Sequence, residues 1–239
     1  MKKLYEKNAL DHALVWIGIY VVGTMLADMV SESVGVTKLV TLIVTAAMSA
    51  YLLVWLRREG LMERFGLCNV QGGGKVHLWF LPLALLASVN LWNGVQWNLT
   101  IHESVFYAVS MMFVGFLEEI IFRGFLFRAL EKDGFLRAVA IASVTFGIGH
   151  IVNLLSGAEL IPTLLQLVYA TAAGFCFTAV FVKTRSLWPC VVCHALVNAL
   201  SVFSVEDGDV FVIPIVLTAV AAGYGWWLMR GQWSRSGRS

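Results

Sequence analysis

Residues 115–124 read GFLEEIIFRG, which sets two adjacent glutamates, Glu118 and Glu119, and an arginine, Arg123, inside one of the most apolar stretches of the chain. An ionised side chain at the centre of a bilayer costs about 2.5–3.5 kcal/mol on insertion scales unless something compensates it. Whether this stretch lies in lipid or in water decides the fold, and composition answers first. The chain has 239 residues, 59% hydrophobic and 13% charged, against about 45–50% and about 25% in soluble domains. That balance excludes an ordinary soluble domain and indicates an integral membrane protein.

Working outward from Glu118, apolar runs of roughly 17–23 residues fall at about 13–31, 38–56, 77–94, 105–127, 137–154, 162–182, 188–204 and 211–229, each near the length of about 20 residues that a helix needs to cross a bilayer. The expectation is an all-α, polytopic membrane protein with about eight transmembrane helices in a bundle. It would form a single integral membrane domain over 1–239. The start, MKKLYEKNALDHALVWIG, resembles the basic region of a signal peptide, but a run of full spanning length follows and no small-residue cleavage site closes it, so it reads as a retained first helix. Four cysteines, Cys68, Cys176, Cys190 and Cys193, lie in or near apolar runs, unlike a secreted disulfide framework.

The basic residues order these spans. Lys2, Lys3 and Lys7 precede the first; Arg57, Arg58, Arg64 and Lys75 lie between the second and third; Arg128, Lys132 and Arg137 between the fourth and fifth; Lys183 and Arg185 between the sixth and seventh; Arg230, Arg235 and Arg238 follow the last. With eight spans all of these fall on one side. The opposite loops carry only Lys38, at the edge of the second span, and the last of them, VEDGDV, is acidic. The positive-inside rule then places both termini in the cytoplasm, at the plasma (inner) membrane if the source is bacterial.

Ionisable groups within spans are candidate functional groups: Glu118, Glu119 and Arg123 in the fourth span, His150 in the fifth, and His194 with Asn198 in the seventh. At about 1.5 Å per residue, the glutamates lie roughly 12–14 Å from the cytoplasmic end, His150 roughly 20 Å, and His194 and Asn198 roughly 9 and 15 Å. Three helices thus bring polar groups to one layer, which scattered structural residues would not do. Glu119 and Arg123 stand at i and i+4, the favourable order for an ion pair. Glu118 points about 100° away, which leaves it free for chemistry. Phe146, one turn before His150, can pack beside its ring. Asp28 reads as an acid reaching the outer interface, and His12, His77 and His102 as interfacial histidines.

A carboxylate in an apolar site is a competent general base for water, and imidazole or amide groups can hydrogen-bond a tetrahedral oxyanion. Glu118, His150 and His194 are equally a zinc ligand set, with metal-bound water as nucleophile. Either route hydrolyses an acyl bond, most naturally a peptide. The soluble zinc-protease pattern HExxH is absent.

These residues resemble a known family. EEIIFR (Glu118, Glu119, Arg123) is similar to the EExxxR motif of the CAAX-protease and bacteriocin-processing family, FGIGH (Phe146, His150) to its FxxxH motif, and HALVN (His194, Asn198) to its HxxxN/D motif. The resemblance covers about 105–204. It implies an eight-helix intramembrane endopeptidase like the type II CAAX prenyl endopeptidase. Glu118 would activate water, Glu119 and Arg123 would support it, and His150, His194 and Asn198 would bind water or stabilise the oxyanion. Arg185 stands where family members commonly have glycine. The family is described both as zinc-dependent and as metal-free, so both routes stay open. The expected partners are a peptide or protein substrate, arriving from the cytoplasm or laterally from lipid, and the bilayer itself; no nucleic acid is expected. CVVCH at 190–194 also matches the haem-attachment pattern CxxCH, but haem attachment belongs to the extracytoplasmic side, and no haem is expected. The alternatives are an ion-coupled transporter, or a non-proteolytic regulator or immunity-type protein of the same fold.

Overall fold

A computed structural model describes residues 1–71, 80–205 and 211–236, with side chains to residue 230. Among the described residues the chain is helical and contains no strand. A short amphiphilic turn, α1 (Lys2–Lys7), leads into α2 (Ala9–Val34) and α3 (Leu39–Arg58); α4 (Leu81–Ala87) is followed by a 3-10 turn, Val89–Leu91. Next come α5 (Ile101–Glu119), a π-helical segment Ile120–Phe127, and the short α6 (Arg128–Leu130). After these, α7 (Phe135–Gly149) runs into a 3-10 segment, His150–Ser156, and α8 (Leu160–Thr184), α9 (Trp188–Leu200) and α10 (Val212–Ser236) complete the order.

Local chemistry sets these boundaries. The Asn8 side chain accepts hydrogen bonds from the amides of Leu10 and Asp11 at 2.9 and 3.3 Å and starts α2. Thr100 and Glu103 form a capping box at the start of α5. Gly35 ends α2 in the left-handed conformation, with φ 74. Arg185 does the same at the end of α8 with φ 58, a position that glycine would occupy with less strain.

Among the described residues, six helical stretches are long and apolar enough to cross a membrane: Ala9–Val34, Leu39–Arg58, Ile101–Asp133, Phe135–Ser156, Leu160–Thr184 and Val212–Arg230. Their outward faces carry exposed Leu14, Val22, Leu26, Met29, Ile43 and Ile215, a surface that suits lipid and not water. The chain is an all-α, integral membrane protein. In the remaining two expected spans, the helices among the described residues are shorter. The first part of the stretch 77–94, with His77, lies outside the described residues; the rest is α4 and its 3-10 turn. The seventh is the apolar helix Trp188–Phe203. Both give way to polar residues (Asn90 and Asn93 in one, Ser201 and Ser204 in the other), and Asn90 Nδ2 donates to the Val197 carbonyl at 2.6 Å, tying the two together.

The loops sort to two ends. At one, Arg64, Glu63, Arg128, Glu131 and Arg185 surround a common polar hollow, and Lys2 pairs with Glu59 at 2.7 Å. At the other, Lys38 pairs with Asp28 at 2.8 Å, Thr37 donates to Glu103 at 3.0 Å, and Asn98 donates to the Ser204 carbonyl at 2.9 Å. Asp28 also accepts from Thr41, so it is tied between helices and does not simply reach the interface.

Toward the basic end the bundle is dry and aromatic. His12 is fully buried, 4.8 Å from Phe125 and 5.2 Å from Trp55 between ring centroids, and its Nε2 accepts from Trp16 Nε1 at 3.2 Å. The interfacial reading of His12 is therefore incorrect. Tyr5 of α1 folds back over it at 5.4 Å and covers the site that would otherwise meet water.

Candidate active site

The six polar candidates come from three helical stretches, and glycines set how closely two of these approach their neighbours. A Cβ at Gly115 would lie 2.7 Å from the backbone nitrogen of Ala195, so α5 and α9 touch backbone to backbone beside His194. A Cβ at Gly147 would lie 2.8 Å from the Leu167 carbonyl, so α7 is equally close to α8 just before His150. Larger residues at either place would move a motif away from its neighbours.

Glu119 and Arg123 are fully buried and paired, Nη1 to Oε1, at 2.9 Å. The remaining guanidinium nitrogens, Nε and Nη2, meet no hydrogen-bond acceptor among the described residues. The plane of the group instead faces aromatic rings, 4.2 Å from the Phe146 centroid and 5.5 Å from that of Phe177. Cation–π attraction of this kind is strongest when desolvated, at about 2 kcal/mol. The pair forms although the chain passes from α to π helix immediately after Glu119. Interruptions of this type are frequent at functional sites.

Glu119 Oε1 has a second partner, His194 Nδ1, at 2.8 Å. A carboxylate only accepts, so Nδ1 carries a proton and donates it. That bond turns His194 Nε2 toward Glu118 Oε2, 3.2 Å away. Phe146 and Phe177 hold the imidazole at centroid distances of 5.6 and 5.5 Å. Glu118 Oε1 in turn accepts from Tyr20 Oη at 2.7 Å. Glu118 is thus not the free carboxylate expected from helical spacing. Both its oxygens are oriented, one by α2 and one by α9.

His150 begins the 3-10 segment after α7, where its Nδ1 lies 3.1 Å from the Phe146 carbonyl, and the Phe146 ring packs edge-on against it at 5.2 Å as its spacing suggested. Its side chain lines a cavity of about 740 Å³ together with Glu118, Asn198 and Tyr20. Asn198 stands one turn beyond His194 and is half-buried. Glu118, His194, His150 and Asn198 therefore border or adjoin one space, while Glu119 and Arg123 lie behind it. Tyr20 is the member that sequence reading missed. A tyrosine hydroxyl at a depth of roughly 16 Å along α2, in an otherwise largely apolar stretch, was the available signal.

No group of three His, Cys, Asp or Glu side chains converges in a way that would hold a metal ion among the described residues. Glu118 and His194 meet each other directly, and the two nitrogens of His194 face two different carboxylates. The donor set as it stands does not fit a zinc ion. Cys190 and Cys193, which complete the haem-like pattern, are buried and donate to the carbonyls of Phe177 and Leu83 at 3.2 and 3.3 Å.

Comparison with known proteins matches this region. The family model described as type II CAAX prenyl endopeptidase Rce1-like matches residues 100–200. A relative from Bacillus subtilis (strain 168), named "Putative membrane peptidase YdiL", is 37% identical over 95 residues, which cover 39% of this chain and 34% of the relative. The chain thus matches about a third of the length of that curated relative. EEIIFR, FGIGH and HALVN lie in order within the matched segment, so residues 100–200 are similar to the CAAX-protease and bacteriocin-processing family.

Proposed function

We propose that the protein is an intramembrane endopeptidase in which Glu118 takes a proton from water as that water attacks a peptide carbonyl. The observation that carries this reading is the chain of contacts Arg123–Glu119–His194–Glu118–Tyr20. It sets the Glu118 carboxylate at the wall of the cavity beside Tyr20, with His194, Glu119 and Arg123 buried behind it.

The roles follow from what each group can donate or accept. Arg123 pairs with Glu119 in a dry environment, and Glu119 accepts from His194 Nδ1. Tyr20 and His194 fix the Glu118 carboxylate, so little reorganisation is needed when it accepts a proton. The amide of Asn198 and the imidazole of His150 line the space where the tetrahedral oxyanion would develop and are the donors available to it. Glu118 then returns the proton to the leaving amine, which closes the cycle without a covalent intermediate. Cys176, Cys190 and Cys193 are buried away from the cavity and take no part. The sorted basic loops support a cytoplasmic location for both termini.

The test is a comparison of membrane peptides from cells carrying the wild type or Glu118→Gln, which keeps the shape and the bond from Tyr20. Peptides produced only by the wild type are expected. Identical peptide sets, with the wild-type phenotype retained, would point instead to a regulator of the same fold. The purified protein dialysed against a chelator should retain cleavage; a loss restored by zinc would return the metal-assisted route.

A further inference from the structure

The cavity that ends on Glu118 has a direction. Along α5 it is bordered by Tyr107, Met111, Val114 and Glu118, along α2 by residues from Tyr20 to Asp28, and along α9 by residues from Val197 outward. On each helix these positions run from the catalytic layer toward the end opposite the basic loops. The inner limit is closed by Phe122 and Phe146, each 3% exposed, with the aromatic cluster around His12 and Phe125 beyond. The far limit reaches Asn93 and Ser156, which are exposed. Substrate arriving from the cytoplasm would have to pass through packed rings; substrate arriving from the other face would not.

The walls also speak to what enters. Asn93, Asn153, Gln166, Asn198, Ser201 and Ser204 border the cavity, and Asn153 Nδ2 already donates to Gln166 Oε1 at 2.8 Å. Amides and hydroxyls match the alternating donors and acceptors of an extended peptide backbone. Ser201 and Ser204 also bond inward, to the carbonyls of Asn198 and Ser201 at 2.6 and 2.8 Å, and Met25, Val114, Ile213 and Leu217 share the walls, so the lining offers both polar and apolar contacts to a peptide.

Resting on the protease reading above, we infer that the cavity is the entry to the site from the extracytoplasmic face, and that its substrates are peptide segments presented on that face. This differs from the sequence-based expectation of a substrate arriving from the cytoplasm or laterally from lipid.

The experiment uses the full chain in its own membrane, with Cys68, which is only partly buried, changed to Ser to lower background. Single cysteines are placed at Ser156 (the mouth), at Met111 (about 10 Å outward of Glu118 along α5) and at Lys132 (the basic end). Right-side-out and inverted vesicles are treated with a charged, membrane-impermeant methanethiosulfonate. Positions 156 and 111 should react in right-side-out vesicles and position 132 in inverted ones. Thr24→Cys, which borders the same cavity from α2, gives a second reading should Met111→Cys fail to accumulate. Reaction of 111 or 24 only from the side that labels 132 would overturn the inference. So would no reaction of either from any side, or labelling of 132 from the outside. These results do not depend on cleavage. Failure of the protease reading would show separately, as Glu118→Gln matching the wild type while the labelling pattern holds.

Discussion

Outward of Glu118, α5 turns Tyr107, Met111 and Val114 toward a cavity; inward of Glu119, all eight residues from Ile120 to Phe127 are buried. The two glutamates are neighbours in sequence and stand on opposite sides of this divide. Glu118 borders the space and its side chain is 12% exposed, whereas Glu119 and Arg123 are both at 0%. One helix therefore joins a wet half to a dry half. The same residue type acts as a reactive group in one and as a fixed electrostatic support in the other. Environment, and not identity, separates the roles.

Substitutions can break or sharpen this division. The largest effect is expected from Glu118→Gln, which should lower kcat by about 10²–10⁴-fold, the usual worth of a positioned general base, while leaving thermal unfolding in detergent nearly unchanged. An equal loss of stability would mean that Glu118 belongs to the dry half after all. Arg123→Gln should do the reverse in kind. It strands a buried carboxylate, and unfolding should become easier by about 3–5 kcal/mol, read from denaturation of the purified protein. Gly115→Ala should come next, at about 1–3 kcal/mol for a forced separation of tightly packed backbones. It should also reduce kcat more than it raises KM, because it shifts His194 relative to Glu118 and leaves the outer cavity intact. Tyr20→Phe removes one hydrogen bond to a charged group, worth about 1.5 kcal/mol. It should slow cleavage roughly tenfold with stability preserved, a KM-against-kcat comparison being the check.

Much of this arrangement was legible beforehand because membranes restrict what a chain can do. Apolar run length marks helices, and basic residues mark ends. The Glu119–Arg123 pair followed from i and i+4 spacing, and the coincidence in depth of Glu118, His150, His194 and Asn198 followed from helical rise. The rest depends on rotation and close approach, which periodicity does not fix. Nothing in HALVN states that His194 turns one nitrogen to each glutamate; that needs the backbone contact at Gly115. Tyr20 is distant in sequence from every motif, and only packing of α2 against the segment after α5 brings it to Glu118. His12 looked interfacial because it lies near a span edge, but Tyr5, seven residues earlier, covers it. The direction of the cavity was hidden for a similar reason: depth locates a layer but does not say which side of it is packed.

The contact at Gly115 bears on how parts of such proteins could be exchanged. The first motif region meets the third through main-chain atoms of Ala195 and His194, where no side chain can adapt to a poor fit. A chimera that imports α9 from a relative should therefore tolerate wide variation along its lipid-facing side. It should fail wherever the residue opposite Ala195 on the recipient is larger than glycine. Modules of this fold would travel as the pair α5 and α9, inherited together, more readily than as single helices.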